Sequence, residues 1–279
     1  MTFTDLLLSC ELGLIFGFLS LGIYITLRLI NFTDLTCTGS FTIGAATAAQ
    51  MIFLGYNCWL ATLASFLAGG AAGALTAFLH IHMRISDIFS GIITAYTGYS
   101  IGLHILKGAP NRSFMEVDNI FTQQPTLLIL FLLVIFFAII YVFFFSTRLG
   151  LAMQVAGYKP WLAQQFHVKT TRMITGGLTL SNALIGLSGG VMANYQEFFD
   201  ITQGTGTLIT GLSIALLGEK IFPLRSLLAS YTGCFVGAIA YQTLISFAIQ
   251  CTSLGLEPYD INIILAILMV LLIWKRKSC

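Results

Sequence analysis

Asp34, Ser40, Asn182 and Thr207 are polar side chains set in or beside long apolar runs. A carboxylate, amide or hydroxyl in such a setting has no water to bond and must find a partner or serve a solute. Thr36, Thr38 and Thr42, Ser181 and Ser188, and Thr205 and Thr210 share that setting. Two readings stay open for all of them: hydrogen bonds between packed helices, or the lining of a route for a polar solute. ATP-binding and zinc-protease patterns are missing. The sequence has no G-x-x-x-x-G-K-[ST], and "LLGEKIF" lacks its spacing; H-E-x-x-H does not occur. His80 and His82, two apart, do not share a helix face, so a metal pair is not expected. Beside Arg84 they suit a helix C-terminus instead. Glu11 lies one turn into the first apolar run, within reach of the interface. Asp34 and Asp87 stand where helix starts expose N–H groups. No chain of Asp, Glu or His resembles a proton relay, which disfavours an ion-coupled carrier, the alternative reading. The six cysteines form no C-x-x-C pair and read as small packing residues, a Cys58–Cys251 bridge being the other option.

A second constellation interrupts the grease: "GYKPWLAQQFHV", residues 157–168, with Arg148, Lys159, Lys169 and Arg172 around it. Pro160 suits the first turn of a helix, where its missing N–H costs nothing. Gly157 permits a sharp approach. Leu162 and Phe166 stand four apart on one face with Ala163 beside them, and Trp161 adds an amphipathic ring. Such a short basic helix either lies on the membrane surface or inserts into a groove on a partner.

The elements that position these residues follow from composition. The chain is 57% hydrophobic and 9% charged, with mean hydropathy +0.90. A soluble domain is about 25% charged. This is an integral membrane protein, and its runs are continuous, so the fold class is all-α, a polytopic bundle in a single transmembrane domain over 1–279. Nine spans are expected, within a range of eight to ten: 6–27, 34–54, 59–80, 86–105, 126–146, 173–195, 204–218, 226–249 and 260–274. The first is a retained span, because a basic n-region and a cleavage motif are lacking. A net charge of +2 implies no nucleic-acid partner. Threading the spans puts Arg28, Arg84, the 148–172 segment, Lys220, Arg225, Lys275, Arg276 and Lys277 on one side. By the positive-inside rule that side is cytoplasmic, with the N-terminus outside and the C-terminus inside.

The sequence also echoes itself. "FTDLTCTGSFTIGAATA" from Phe32 and "FFDITQGTGTLITGLSIA" from Phe198 both run aromatic, Asp, small polar patch, then Gly-x-x-x-x-Gly (Gly39/Gly44 and Gly206/Gly211). In the threading they cross in opposite directions, the pattern of a 4+4 inverted repeat with broken helices and a site near the midplane. The short span 204–218 rises only about 22 Å, less than the bilayer core, as a broken helix would. The expected pathway residues are therefore Asp34, Gly39, Ser40, Asn182, Gly206 and Thr207.

"GYKPWLAQQFHV" resembles the cytoplasmic loop of ABC-importer permeases of the branched-chain amino acid/ribose type, with its pattern G-x-x-P-x-x-A-x-x-x-G-[IV]. Gly157, Pro160, Ala163 and Val168 match it. "RLINFTDLTCTGSFTIGAA", "GIITAYTGYSIGLHILKGAPN" and the stretch from Leu178 to Phe222 resemble the same family, in the branch labelled amino-acid or tryptophan/tyrosine permeases. The resemblance covers about residues 12–275. It implies a permease of a bacterial inner membrane, homodimeric or paired with a similar chain, and not itself an enzyme. Its implied partners are membrane lipid, two cytoplasmic ATPase subunits and an extracytoplasmic solute-binding protein. ATP and Mg would bind to the ATPase, and this chain would hold no cofactor. The implied substrate is a small organic solute, an amino acid first and a sugar or nucleoside otherwise. Gly157, Pro160, Trp161, Leu162, Ala163, Phe166, His167 and Val168 would form the coupling helix, with Leu162, Ala163 and Phe166 as its docking face. One residue departs from the pattern: His167 stands where the family has glycine, which ends a helix in a left-handed turn at little cost.

Overall fold

The computed structural model describes residues 3–115, 120–121, 125–222 and 226–250. Over these residues the chain is a helical bundle. α1 (Phe3–Tyr24) runs on into a π-helical segment (Ile25–Ile30), followed by α2 (Cys37–Phe53), α3 (Cys58–Ile81) and α4 (Asp87–Ile105). α5 (Thr126–Ser146), α6 (Arg148–Tyr158) and the short α7 (Pro160–Gln165) come next, then α8 (Thr170–Gln196), α9 (Thr207–Ile221) and α10 (Leu227–Gln250). A single pair of short strands among the described residues, β1 (Asn111–Ser113) and β2 (Phe198–Asp200), qualifies the all-α expectation. They pair antiparallel, Asn111 opposite Asp200 and Ser113 opposite Phe198.

Six helices among the described residues are long and apolar enough to cross a membrane: Thr4–Ile30, Cys58–Ile81, Thr126–Ser146, Thr170–Gln196, Ile201–Ile221 and Leu227–Ala248. They stand at six of the nine expected positions. Helices stand at the first eight expected positions, but α2 has 17 residues and α4 is diluted by Ser90, Thr94, Thr97, Ser100 and His104. The ninth expected span, 260–274, lies outside the described residues, as do the basic cluster 275–277 and Cys251.

α2, α3 and α8 form the tightest part of the bundle, and their contact surfaces explain the glycine content. A methyl group on Gly186 would lie 2.6 Å from the Ser65 carbonyl oxygen and 2.8 Å from Gly69 Cα, so only glycine lets α8 lie on α3. α1 and α8 are joined by hydroxyls: Ser181 Oγ donates to the Gly22 carbonyl at 2.7 Å, and Ser188 Oγ to the Ile15 carbonyl at 2.8 Å. For these two serines the helix-contact reading is what the structure shows. Glu11 is buried, accepting a bond from Tyr195 Oη at 2.9 Å. α5 differs from all of these. Phe131, Phe136, Ile139 and Phe143 along it are exposed, as a lipid-facing helix requires.

Candidate functional site

α1 does not run directly into α2. Its π segment ends at Asn31, which adopts the left-handed conformation (φ 55°) that asparagine tolerates, and the next residues form an irregular turn. There Asp34 Oδ1 accepts a bond from the Thr36 backbone N–H at 2.8 Å. Asp34 Oδ2 accepts one from Asn182 Nδ2 at 2.7 Å, and Asn182 Oδ1 accepts from Ser40 Oγ at 2.6 Å. Thr36 and Thr76 share a hydroxyl contact of 2.7 Å. All five side chains are buried. The network therefore welds the turn before α2 to α8 and α3. It brings together Asp34, Ser40 and Asn182, three of the six expected pathway residues, and buries them within the chain.

The other three lie outside this network. Gly39 packs on α4, where a methyl group would come within 2.7 Å of Ala95 Cα. Gly206 begins α9 at φ 89°, and Thr207 Oγ1 donates to the Gly204 carbonyl at 2.8 Å. That second turn repeats the chemistry of the first. α8 ends at Glu197 in the left-handed region (φ 55°), and Asp200 Oδ1 accepts from the Thr202 N–H at 2.8 Å. Asn31, Phe32, Asp34 and Thr36 thus correspond to Glu197, Phe198, Asp200 and Thr202. A 3-10 turn (Ile201–Gly204) follows the second Asp before α9 begins.

The segment 148–172 is not a loop with one short helix. α6 is a full helix capped by Thr147, whose Oγ1 accepts from the Gly150 N–H at 3.4 Å. Gly157 is no flexible hinge: it is buried, and a methyl group there would lie 2.5 Å from Ile30 Cα. α7 starts at Pro160, and the Ala163 carbonyl accepts from the Val168 N–H at 2.9 Å, closing the helix end. His167 takes the left-handed conformation, φ 54°, that the glycine pattern foretold for this position. The expected docking face is divided. Ala163 is fully buried and Leu162 half-buried, whereas Phe166 is 72% and Trp161 59% exposed. Tyr158, 80% exposed, joins them, and His167 lies beside them. The outward surface is thus Tyr158, Trp161 and Phe166, with Ala163 as the inward anchor.

A third feature escaped the sequence reading. On α4, Tyr96, Tyr99, Ser100 and His104 are exposed, with Lys107 just beyond the helix. Thr97, Ser100 and His104 line an open hollow with Ile101 and Ile105. Their spacing of three and four was visible, but only burial shows that this stripe faces outward while Ser90 and Thr94 face inward.

Apolar helices on a polar, buried turn, with exposed aromatic rings around a short helix, make a polytopic helical bundle of the membrane class. The chain belongs to the family described as the branched-chain amino acid transport system permease component, which it matches over residues 7–274. It is 32% identical to a tyrosine transport system permease protein of Clostridioides difficile, covering 92% of this chain and 86% of that one. It is 26% identical to a protein of Methanocaldococcus jannaschii assigned as the branched-chain amino acid transport permease LivH, covering 93% and 89%. Among solved structures it is similar in fold to one assigned to a metal-chelate type ABC transporter in an inward-facing conformation. The TM-score is 0.54 at 16% identity, over 96% of this chain and 87% of that one. The chain is the permease component of an ABC transporter.

Proposed function

We propose that this chain, paired with a second permease copy, forms the translocation pathway of an importer for an amino acid and couples to a separate cytoplasmic ATPase through α7. The observation that carries the coupling is the construction of α7. Tyr158, Trp161 and Phe166 project outward, while Ala163 and Gly157 fasten the unit to the bundle. Three exposed aromatic rings, one on the short α7 and one just beyond each of its ends, set beside Lys159 and Lys169, suit insertion into a groove on a partner. The family and the names of its relatives support an amino acid as the solute. ATP and Mg then belong to the ATPase, and an extracytoplasmic solute-binding protein delivers the substrate.

The α7 end is cytoplasmic in this reading, with the N-terminus outside. Gly157 lies on Leu29 and Ile30, and Arg28 meets Glu219 beside Lys220, so basic residues gather at that end. The paired turns at Asp34 and Asp200, and the packing of α3 on α8 and of α10 on α1, support an inverted repeat. The polar stripe of α4 would be expensive against lipid, which supports covering it with the second copy around the pathway.

Phe166→Asp tests the coupling. With the ATPase co-expressed, the variant is expected to lose substrate-stimulated ATP hydrolysis while the permease still folds. Normal stimulation in a monodisperse variant would refute the role given to α7.

A further inference from the structure

The π segment Ile25–Ile30 occupies a position that the coupling reading does not use. On one side, α6 lies directly on it through Gly157, which touches Leu29 and Ile30. On another, the Ile30 side chain fills the space that Gly177 leaves on α8. Beyond it comes Asn31 and the turn held by Asp34 and Asn182. Arg28 and Leu29 line a cavity of about 290 Å³ whose other walls are Gln154, Val155, Tyr158, Lys159 and Leu162 of the α6–α7 unit. From this position Arg28 reaches across to α9 and grips Glu219 with two prongs, Nε to Oε1 and Nη2 to Oε2, the second at 2.5 Å. The ion pair joins elements 191 positions apart in the chain.

We propose that the Arg28–Glu219 pair is a latch that ties the α6–α7 unit to α9 through the π segment. The physical basis is register. A π turn holds one residue more than an α turn, so returning it to α geometry turns Arg28 by about 100° relative to the residues after it. A planar guanidinium fork cannot track its carboxylate through such a rotation. Movement of α6 against Leu29 and Ile30 therefore bears on the pair, and release of the pair frees α9 together with Gly206 and Thr207 at its other end. The pair is half-buried, with side chains 36% and 18% exposed, so it is shielded enough to hold and accessible enough to open.

The latch rests on the ATPase-coupled reading, and the experiment separates the two. Arg28→Cys and Glu219→Cys are combined, and the purified permease–ATPase complex is bridged with a short, reducible bifunctional thiol reagent. Relative to the same double-cysteine complex left unbridged, the bridged protein is expected to lose at least ~90% of ATP-driven uptake, a loss within the range of allosteric couplings, and to return to the unbridged level on reduction. Full uptake in the quantitatively bridged complex would overturn the latch while leaving coupling intact. If the ATPase never co-purifies with the wild-type chain, the coupling reading fails first. As a second measurement, Arg28→Gln and Glu219→Gln should each cut the ratio of substrate-stimulated to basal ATP hydrolysis by about fivefold. The double swap Arg28→Glu/Glu219→Arg should recover most of it. Single variants with an unchanged ratio would also refute the latch.

Discussion

His167 is a residue at which local chemistry and fold disagree. Its backbone sits at φ 54°, a region where a Cβ is penalised and glycine is at home. The fold imposes this because the Val168 N–H must reach the Ala163 carbonyl to end α7. His167→Gly should remove the strain, at the cost of a larger entropic loss from the more flexible unfolded chain. The expected result is a gain of roughly 0.5–1 kcal/mol in the stability of the permease, read as a higher melting temperature in detergent. A lower melting temperature would show that the imidazole makes a stabilising contact that outweighs the strain. Asn182 shows the opposite situation. One amide satisfies both the Asp34 carboxylate and the Ser40 hydroxyl, so three polar groups are buried at little cost.

At the scale of elements, α5 and α4 divide the surface by chemistry. α5 exposes Phe131, Phe136 and Phe143, which lipid accepts. α4 exposes Tyr96, Ser100 and His104, which lipid does not. If a second copy covers α4, Tyr96→Cys and Ser100→Cys chains should cross-link into dimers with a short bis-maleimide, while Phe131→Cys should not. Dimers from Phe131→Cys with none from the α4 positions would reverse the assignment of faces. This division was hard to read from the sequence. Both helices sit in apolar stretches, and sequence period alone does not tell an aqueous face from a helix-packing face when Ser and Thr occur on both. The same ambiguity left open whether Asp34, Ser40 and Asn182 bond to one another or line a route; within this chain they are buried and bonded together. Their proximity was nevertheless foreshadowed, because polar groups in an apolar setting must pair with one another. The inward packing of Ala163 was hard to read for a related reason: an i, i+4 pattern gives a helix an apolar stripe but does not say whether its own bundle or a partner takes it.

For the whole molecule, long apolar runs determined the helices and their order, since only helices satisfy their backbone in lipid without neighbours. What could not be read was the π segment and the Arg28–Glu219 pair, because a one-residue bulge and a contact 191 positions apart leave no periodic trace. These hidden features are the ones that connect the projecting α7 to the buried turns. The central claim is that solute movement through this chain is driven by ATP hydrolysed on another chain docked at α7. Proteoliposomes holding the permease with its ATPase and solute-binding protein test it directly, with labelled tyrosine or a branched-chain amino acid outside and ATP supplied to the ATPase. The expected result is accumulation that requires ATP and persists when the proton gradient is collapsed. Accumulation by the permease alone under a proton gradient, with ATP making no difference, would contradict it.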